Sequence, residues 1–209
     1  MTGKYRLKAR AERQEATRRR IVDAAVDLHT TVGPARTTDV AIAERAGVTR
    51  VTFYRHFPDE LSLFRACMSH GLVRWPPPDP STWRHVADPV ARLRLALTEL
   101  YAYYRVAGPG LAVIARDGPL LPPELRTFPS RLDVLGAMPA VLMVGWTVRG
   151  RRRTMLEAAL RHAVSVGSWQ SLAHDLGLAD ADAVELLMAM VECAARGRGT
   201  RPPALLQAQ

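Results

Sequence analysis

Apolar residues recur at intervals of three and four along almost the whole chain, and no segment alternates polarity with period two. That periodicity predicts helices and no strands. Ile21, Ala24, Ala25 and Leu28 mark the inner face of a first helix, whose end is signalled by Gly33-Pro34. Thr37 and Thr38 offer capping hydroxyls to a short second helix with Ile42, Ala43 and Ala46 on one face. Gly47 falls just past that face, where a left-handed residue ends a helix at little cost. Val48 plugs the corner, and Thr49 is placed to cap a third short helix in which Phe53 and Phe57, four apart, point inward. Asp59 caps a fourth, carrying Leu61, Phe64, Cys67 and Met68 inward and running out near Gly71–Trp75.

The run Pro76-Pro77-Pro78-Asp79-Pro80 imposes extended backbone, so a domain boundary and a stiff connector are expected there. Beyond it the pattern predicts a helix over Asp88–Val106, with Leu93, Leu97, Leu100 and Tyr104 on one side and Gly108-Pro109-Gly110 ending it. A short segment Leu111–Arg116, a bent helix Pro129–Trp146, and two further helices over Thr154–Leu176 and Ala181–Ala195 follow. The fold class is all-α. The expected organisation is a basic arm over 1–13, a three-helix helix-turn-helix domain over 14–74, and a larger helical domain over 75–209 for effector binding and dimerisation.

Residues Thr37 to Phe57 carry the chemistry. Two short helices joined by a tight turn, the second exposing Arg50, Thr52, Tyr54 and Arg55, form a helix-turn-helix whose outer groups suit phosphates and base edges. Charge agrees: the chain has 29 Lys and Arg against 20 Asp and Glu, a net +9, which favours an acidic polymer or surface as partner. Lys4, Arg6, Lys8, Arg10, Arg13, Arg18, Arg19 and Arg20 crowd the N-terminus, as in an arm that follows a phosphate backbone or a solubilising tail. The other basic residues are all arginines, a bias that reflects genome composition, so no single arginine is evidence by itself.

The run Ala43-Glu44-Arg45-Ala46-Gly47-Val48-Thr49, followed by Thr52-Phe53-Tyr54-Arg55-His56-Phe57, resembles the signature of the TetR family of bacterial one-component regulators. The resemblance covers about the first third of the chain. It implies that Thr38 and Tyr54 contact phosphates, that Arg50 and Thr52 reach base edges, that Thr49 caps the recognition helix, and that His56 has a phosphate-side or structural role. Arg55, Lys4 and Lys8 complete the expected DNA-binding set. Family members usually carry lysine where this chain has Glu60, which cannot donate to a phosphate. The resemblance further implies a double-stranded DNA operator, a small apolar or amphipathic effector, and a homodimer.

Cys67 and Cys193 are lone cysteines in apolar helical patterns, read as core packing in a reducing cytoplasm. The six histidines show no metal-ligand spacing, and neither a phosphate loop after a strand nor a nucleophile elbow exists. No enzyme, cofactor or metal is expected. The charged N-terminus lacks the apolar core of a signal peptide, and the apolar run Val134–Trp146 is too short to span a bilayer, so a cytoplasmic, non-membrane protein is expected.

In the second domain Tyr101, Tyr103, Tyr104, Phe128, Met138, Met143, Trp146 and Trp169 suit either a packed core or an apolar pocket. Tyr101, Tyr104, Met143, Trp146, His162 and Trp169 are the expected ligand-binding residues. Leu156, Leu160, Ala163 and Gly167 on one helix, with Val184, Leu187, Met188 and Val191 on the next, are the expected dimer interface, although a monomer could fold those faces onto itself. The leading expectation is a ligand-responsive dimeric repressor of a palindromic operator. An activator or ligand-independent architectural DNA-binding protein, or a helical small-molecule binder or enzyme, remain alternatives.

Overall fold

The computed structural model describes residues 2–126 and 138–196, with side chains described for 5–125 and 138–196. It contains helices and turns and no strand among the described residues. The chain divides into two compact units. The first joins Met1–Pro77 to Arg105–Leu132, and the second joins Pro78–Tyr104 to Asp133–Gln209. The proline run lies at the first boundary. The second boundary falls inside a continuous helix, where composition offers no signal.

In the first unit, α1 spans Thr2–Thr31, α2 Asp39–Arg45, α3 Arg50–His56 and α4 Glu60–Arg74, with a 3₁₀ turn at Pro34–Arg36. The basic N-terminal residues are therefore the first turns of α1, helical well ahead of the apolar face that revealed the helix. Ile21, Val22, Ala25 and Val26 of α1 pack with Ile42, Ala43, Ala46, Phe53, Phe57, Leu63 and Cys67 in one core. The expected caps form: Thr38 accepts from the Ala41 amide at 3.2 Å, Thr49 from Thr52 at 3.2 Å, and Asp59 from Ser62 at 2.6 Å. Each satisfies an amide that the helix itself leaves unpaired.

The helix α5 spans Pro80–Trp83, and α6 spans Pro89–Asp117. Gly108-Pro109-Gly110 does not end α6, contrary to the sequence expectation. Proline removes one amide and crowds the preceding turn, but Ala107 and Leu111 on either side are buried and hold the helix in place. Gly110 serves a close approach within the first unit: a Cβ there would lie 2.9 Å from Cβ of Thr30 on α1. A 3₁₀ turn at Gly118–Leu120 and α7, Pro123–Arg126, follow.

In the second unit, α8 is described over 138–142, after which the chain turns, so helix does not extend to Trp146. The expected start of that helix and Phe128 lie outside the described residues. The remaining helices are α9, Arg151–Ala163, α10, Val166–Trp169, a π turn at Gln170–Asp175, and α11, Asp180–Arg196. The long helix expected over Thr154–Leu176 is thus broken near Val164. Tyr104 Oη donates to the Val164 carbonyl at 2.7 Å, Ser165 caps α10 by accepting from the Ser168 amide at 3.1 Å, and Ser168 Oγ donates to the His162 carbonyl at 2.5 Å. These side chains satisfy the backbone groups that the break exposes.

Arg92 is buried in this unit with its guanidinium donating to the carbonyls of Val86, Ala87, Val141 and Val144. A buried cation satisfied wholly by carbonyl dipoles costs far less than an unpaired one. It ties the α5–α6 connection to the end of α8.

Candidate functional site

The turn between α2 and α3 has the expected geometry. Gly47 sits at φ 64°, the left-handed region that glycine enters without strain. Phe53 and Phe57 are buried, which leaves Arg50, Tyr54 and Arg55 exposed on the outer faces of α3. Thr49 Oγ1 also donates to Thr52 Oγ1 at 3.0 Å. The Thr52 hydroxyl accepts there, so its own proton stays available for a base edge or phosphate.

Tyr54 differs from the simple expectation. Its hydroxyl donates to Asp39 Oδ2 at 3.0 Å, spanning the two helices of the motif. A phosphate contact through that proton requires the hydroxyl to leave Asp39. His56 is half-buried, and its Nε2 is enclosed with no hydrogen-bond partner. Burial, then the Arg55 and Arg18 charges, hold its pKa below the ordinary imidazole value. Its carbonyl accepts from Arg18 at 2.9 Å, and the Arg18 guanidinium lies 4.2 Å from the centroid of the Phe57 ring. Arg18 therefore holds α3 against α1, and this geometry favours the structural role for His56.

Lys8 is exposed on α1, 4.0 Å from Glu12 one turn on, and the Lys4 side chain lies outside the described residues. Glu60 occupies the first turn of α4. Desolvation, followed by the charges of Asp39 and Glu124, holds its carboxyl above the usual carboxylate value. Carboxylates thus gather at one edge of a motif whose α3 exposes the donors Arg50, Tyr54 and Arg55.

The first unit also holds a cavity of about 500 Å³, partly open to solvent. Val26, His29 and Thr30 of α1, Phe64, Met68 and Trp75 from α4 and its end, and Leu111 and Ile114 of α6 are among its walls. His29 keeps part of its surface accessible on the cavity side, yet burial lowers its pKa to about 4, so the imidazole is neutral near pH 7. Burial pushes the Cys67 thiol up to about 12, which leaves it an inert, small apolar group.

None of the six residues expected to bind ligand lines this cavity. Tyr101, Tyr104 and Trp169 are buried in the second unit, with Tyr104 at ring-centroid distances of 6.4 Å from Tyr101 and 6.1 Å from Trp169. Met143 is buried, half-buried Trp146 donates its indole N–H to the Leu142 carbonyl at 3.0 Å, and His162 is exposed on α9. The aromatic stripe fills space, and periodicity alone could not separate a filled core from a lined void. Composition held no clear signal for the real cavity, beyond a histidine on the apolar side of α1.

The expected dimer residues also need correction. Leu156, Leu160, Ala163, Val184, Leu187, Met188 and Val191 are all buried in the chain's own second unit, where α9 packs on α11, and Gly167 is exposed. A face already buried against its own domain has no surface left for a partner. The apolar residues that α11 leaves exposed are on its other side: Leu186 at 43 % and Met190 at 46 %, with Ala189 and Cys193 beside them. Cys193 is accordingly surface, not core, whereas Cys67 is buried.

Among the described residues, no three metal-ligating side chains gather, and no helix is long and apolar enough to cross a membrane. A tight helical turn presenting a polar, arginine-bearing α3 defines a helix-turn-helix DNA-binding protein. Residues 21–67 match the profile described as bacterial regulatory proteins, tetR family. Over this domain the chain belongs to the TetR family, and it is a DNA-binding transcriptional regulator.

Solved structures agree at the level of fold. A TetR-like transcriptional regulator from Rhodococcus sp. RHA1 is 20 % identical with a TM-score of 0.59, the match covering 87 % of this chain and 97 % of that one. A tetR-family transcriptional regulator from Streptomyces coelicolor, also 20 % identical, has a TM-score of 0.57 over 87 % and 80 % of the two chains. Small ribosomal subunit protein uS13 of Corynebacterium diphtheriae is 30 % identical over 87 residues, 42 % of this chain and 68 % of that protein. That match leaves more than half of the chain unaccounted for, while the regulator fold covers 87 % of it.

Proposed function

We propose that this protein is a dimeric, ligand-responsive repressor that occupies a palindromic operator and releases it when an apolar effector fills the cavity in the first unit. The observation that carries the reading is that the cavity is walled by α1 itself. Val26, His29 and Thr30 lie about two to three turns along the helix from Arg18, which holds α3 through the His56 carbonyl. A ligand that favours one placement of α1 over another therefore biases the placement of the recognition helix, which is the differential binding that any ligand response requires.

In this reading Arg50 and Thr52 meet base edges, while Thr38, Arg55 and, once freed from Asp39, Tyr54 meet phosphates. Lys4 and Lys8 extend the backbone contacts along α1. The exposed stripe Leu186, Ala189, Met190 and Cys193 of α11 supplies the two-fold contact, because one short recognition helix reads too few base pairs for useful specificity. Such a protein acts in the cytoplasm, without catalysis of its own.

Operator selection from random duplexes, followed by footprinting, tests this reading. It expects two half-sites about 34–36 Å apart or a multiple of that spacing, protected by a dimer and released by an effector that raises the melting temperature. Long, sequence-indifferent protection would favour an architectural protein. Operator occupancy that raises transcription in a reconstituted assay would make it an activator.

A further inference from the structure

We propose that the cavity selects an uncharged, largely apolar molecule bearing a single hydroxyl or carbonyl group, which the ligand directs at the His29 imidazole. The inference rests on the reading of this cavity as the effector site and names what it admits.

The walls decide the chemistry. Among the described residues, none of the side chains around the cavity is an Asp, Glu, Lys or Arg, and the titratable ones are His29 and Cys67. Both are neutral near pH 7, since burial depresses the imidazole pKa to about 4 and raises that of the thiol to about 12. Among the described lining residues an anion finds no cation to replace its hydration, and a cation finds no carboxylate, so either pays a desolvation cost wherever it leaves water. The volume of about 500 Å³ is that of a drug-sized ligand site.

The polar options inside are few. The Thr30 hydroxyl already donates to the Val26 carbonyl at 2.8 Å, inside its own helix. A neutral imidazole offers one N–H and one lone pair, and so meets either a carbonyl or a hydroxyl. Phe64, Trp75, Leu111 and Ile114 are available for the rest of the molecule. A polar anchor in a largely apolar pocket is the arrangement by which pockets orient a ligand.

Isothermal titration of the full chain at pH 7.5 with 2-naphthol, 2-naphthoate, 2-naphthylmethylammonium and naphthalene tests this. The four share a ring system and differ in charge and polar group. 2-Naphthol is expected to bind, with both ions more than about 100-fold weaker. His29→Leu should weaken 2-naphthol about fivefold and leave naphthalene unchanged, a separation that loss of structure would not produce. Either ion binding within about tenfold of 2-naphthol, or equal loss of 2-naphthol and naphthalene in His29→Leu, overturns the proposal. Met68→Trp and Leu111→Trp, which fill the cavity from two walls, should abolish binding of every probe. If 2-naphthol binds both variants normally while they remain folded by circular dichroism, the cavity is not the site and the underlying reading fails separately. If neither 2-naphthol nor naphthalene binds the wild type at its solubility limit, both fall together.

Discussion

Asp117, the last residue of α6, accepts a hydrogen bond from the backbone amide of Ala35 at 3.2 Å, across 82 positions of sequence and within the first unit. Its carboxyl is fully enclosed, and Arg116 Nε donates to it at 2.7 Å while Arg116 also donates to the Val32 carbonyl at 2.9 Å. The segment just ahead of α2 is thereby latched to the end of a helix that walls the cavity.

Gly33 is the residue this latch leaves no room to change. It adopts φ 108°, and a Cβ would fall 2.1 Å from Asp117 Oδ2. Gly33→Ala is expected to lose at least ~1–3 kcal/mol from backbone strain alone, read by urea unfolding. Asp117→Ala should relieve the clash with the carboxyl but neither the 2.6 Å approach to Arg116 Nη2 nor the strain, so the double variant is expected to lose less than the sum of the two single changes.

His29 and Asp117 are two of the groups that shape the acid side of the stability profile, His56 being another with a lowered pKa. His29 titrates at about 4 when folded and 6.5 otherwise, so between those values the unfolded chain binds more protons and stability falls as pH drops from 6.5 to 4. The loss is on the order of 2–3 kcal/mol, and His29→Leu should flatten that limb of a melting-temperature profile. Asp117 is held below 3.8, first by the Arg116 hydrogen bond. Its contribution is present above 3.8 and disappears as pH falls through the lower folded value, so Asp117→Asn should alter only the more acidic limb.

At the DNA face, Arg50→Ala should cost ~1–3 kcal/mol on the selected operator and relax specificity at one base position. Tyr54→Phe should weaken all sequences alike. Asp39→Ala frees the Tyr54 hydroxyl and removes a carboxylate, so binding should tighten. Glu60→Lys should also tighten it, with a salt slope steeper by about one. Fluorescence anisotropy across a salt series checks all four; identical sequence profiles for Arg50→Ala and Tyr54→Phe would remove the division between base and phosphate contacts.

For the dimer, Leu186→Arg and Met190→Arg place charge on an exposed stripe and should dissociate the protein in sedimentation while preserving helicity. Leu187→Arg instead puts a charge into the α9–α11 core, and should unfold the second unit, since an unpaired buried charge costs several kcal/mol. Loss of helicity in all three variants would contradict the assignment of the two faces.

The helix-turn-helix was legible residue by residue because its determinants are local. Thr38, Thr49 and Asp59 cap helices three residues away at most, Gly47 meets a conformational demand of its own backbone, and Phe53 with Phe57 needs only helical spacing to point inward. The helices of the second unit were legible as helices, but their ends were not. Tyr104 is 60 positions from the Val164 carbonyl that it captures, and the local signals beside it, Ser165 and Gly167, sit inside an otherwise continuous helical pattern.

Amino-acid order alone thus determined the all-α class, the caps, the turn and the polar face of α3, since each follows from hydrogen bonds and side-chain spacing within a turn or two. Tertiary structure decided which apolar faces were already spent, turning Leu156 and Leu187 into core and leaving Leu186 and Met190 outside. It also decided that Pro109 lies within a helix, that Tyr104 and Trp169 fill space, and that the void opens beside His29. A hydrophobic pattern records that a face avoids water, but what covers that face, or whether a gap remains beside it, depends on helices brought together from distant parts of the chain.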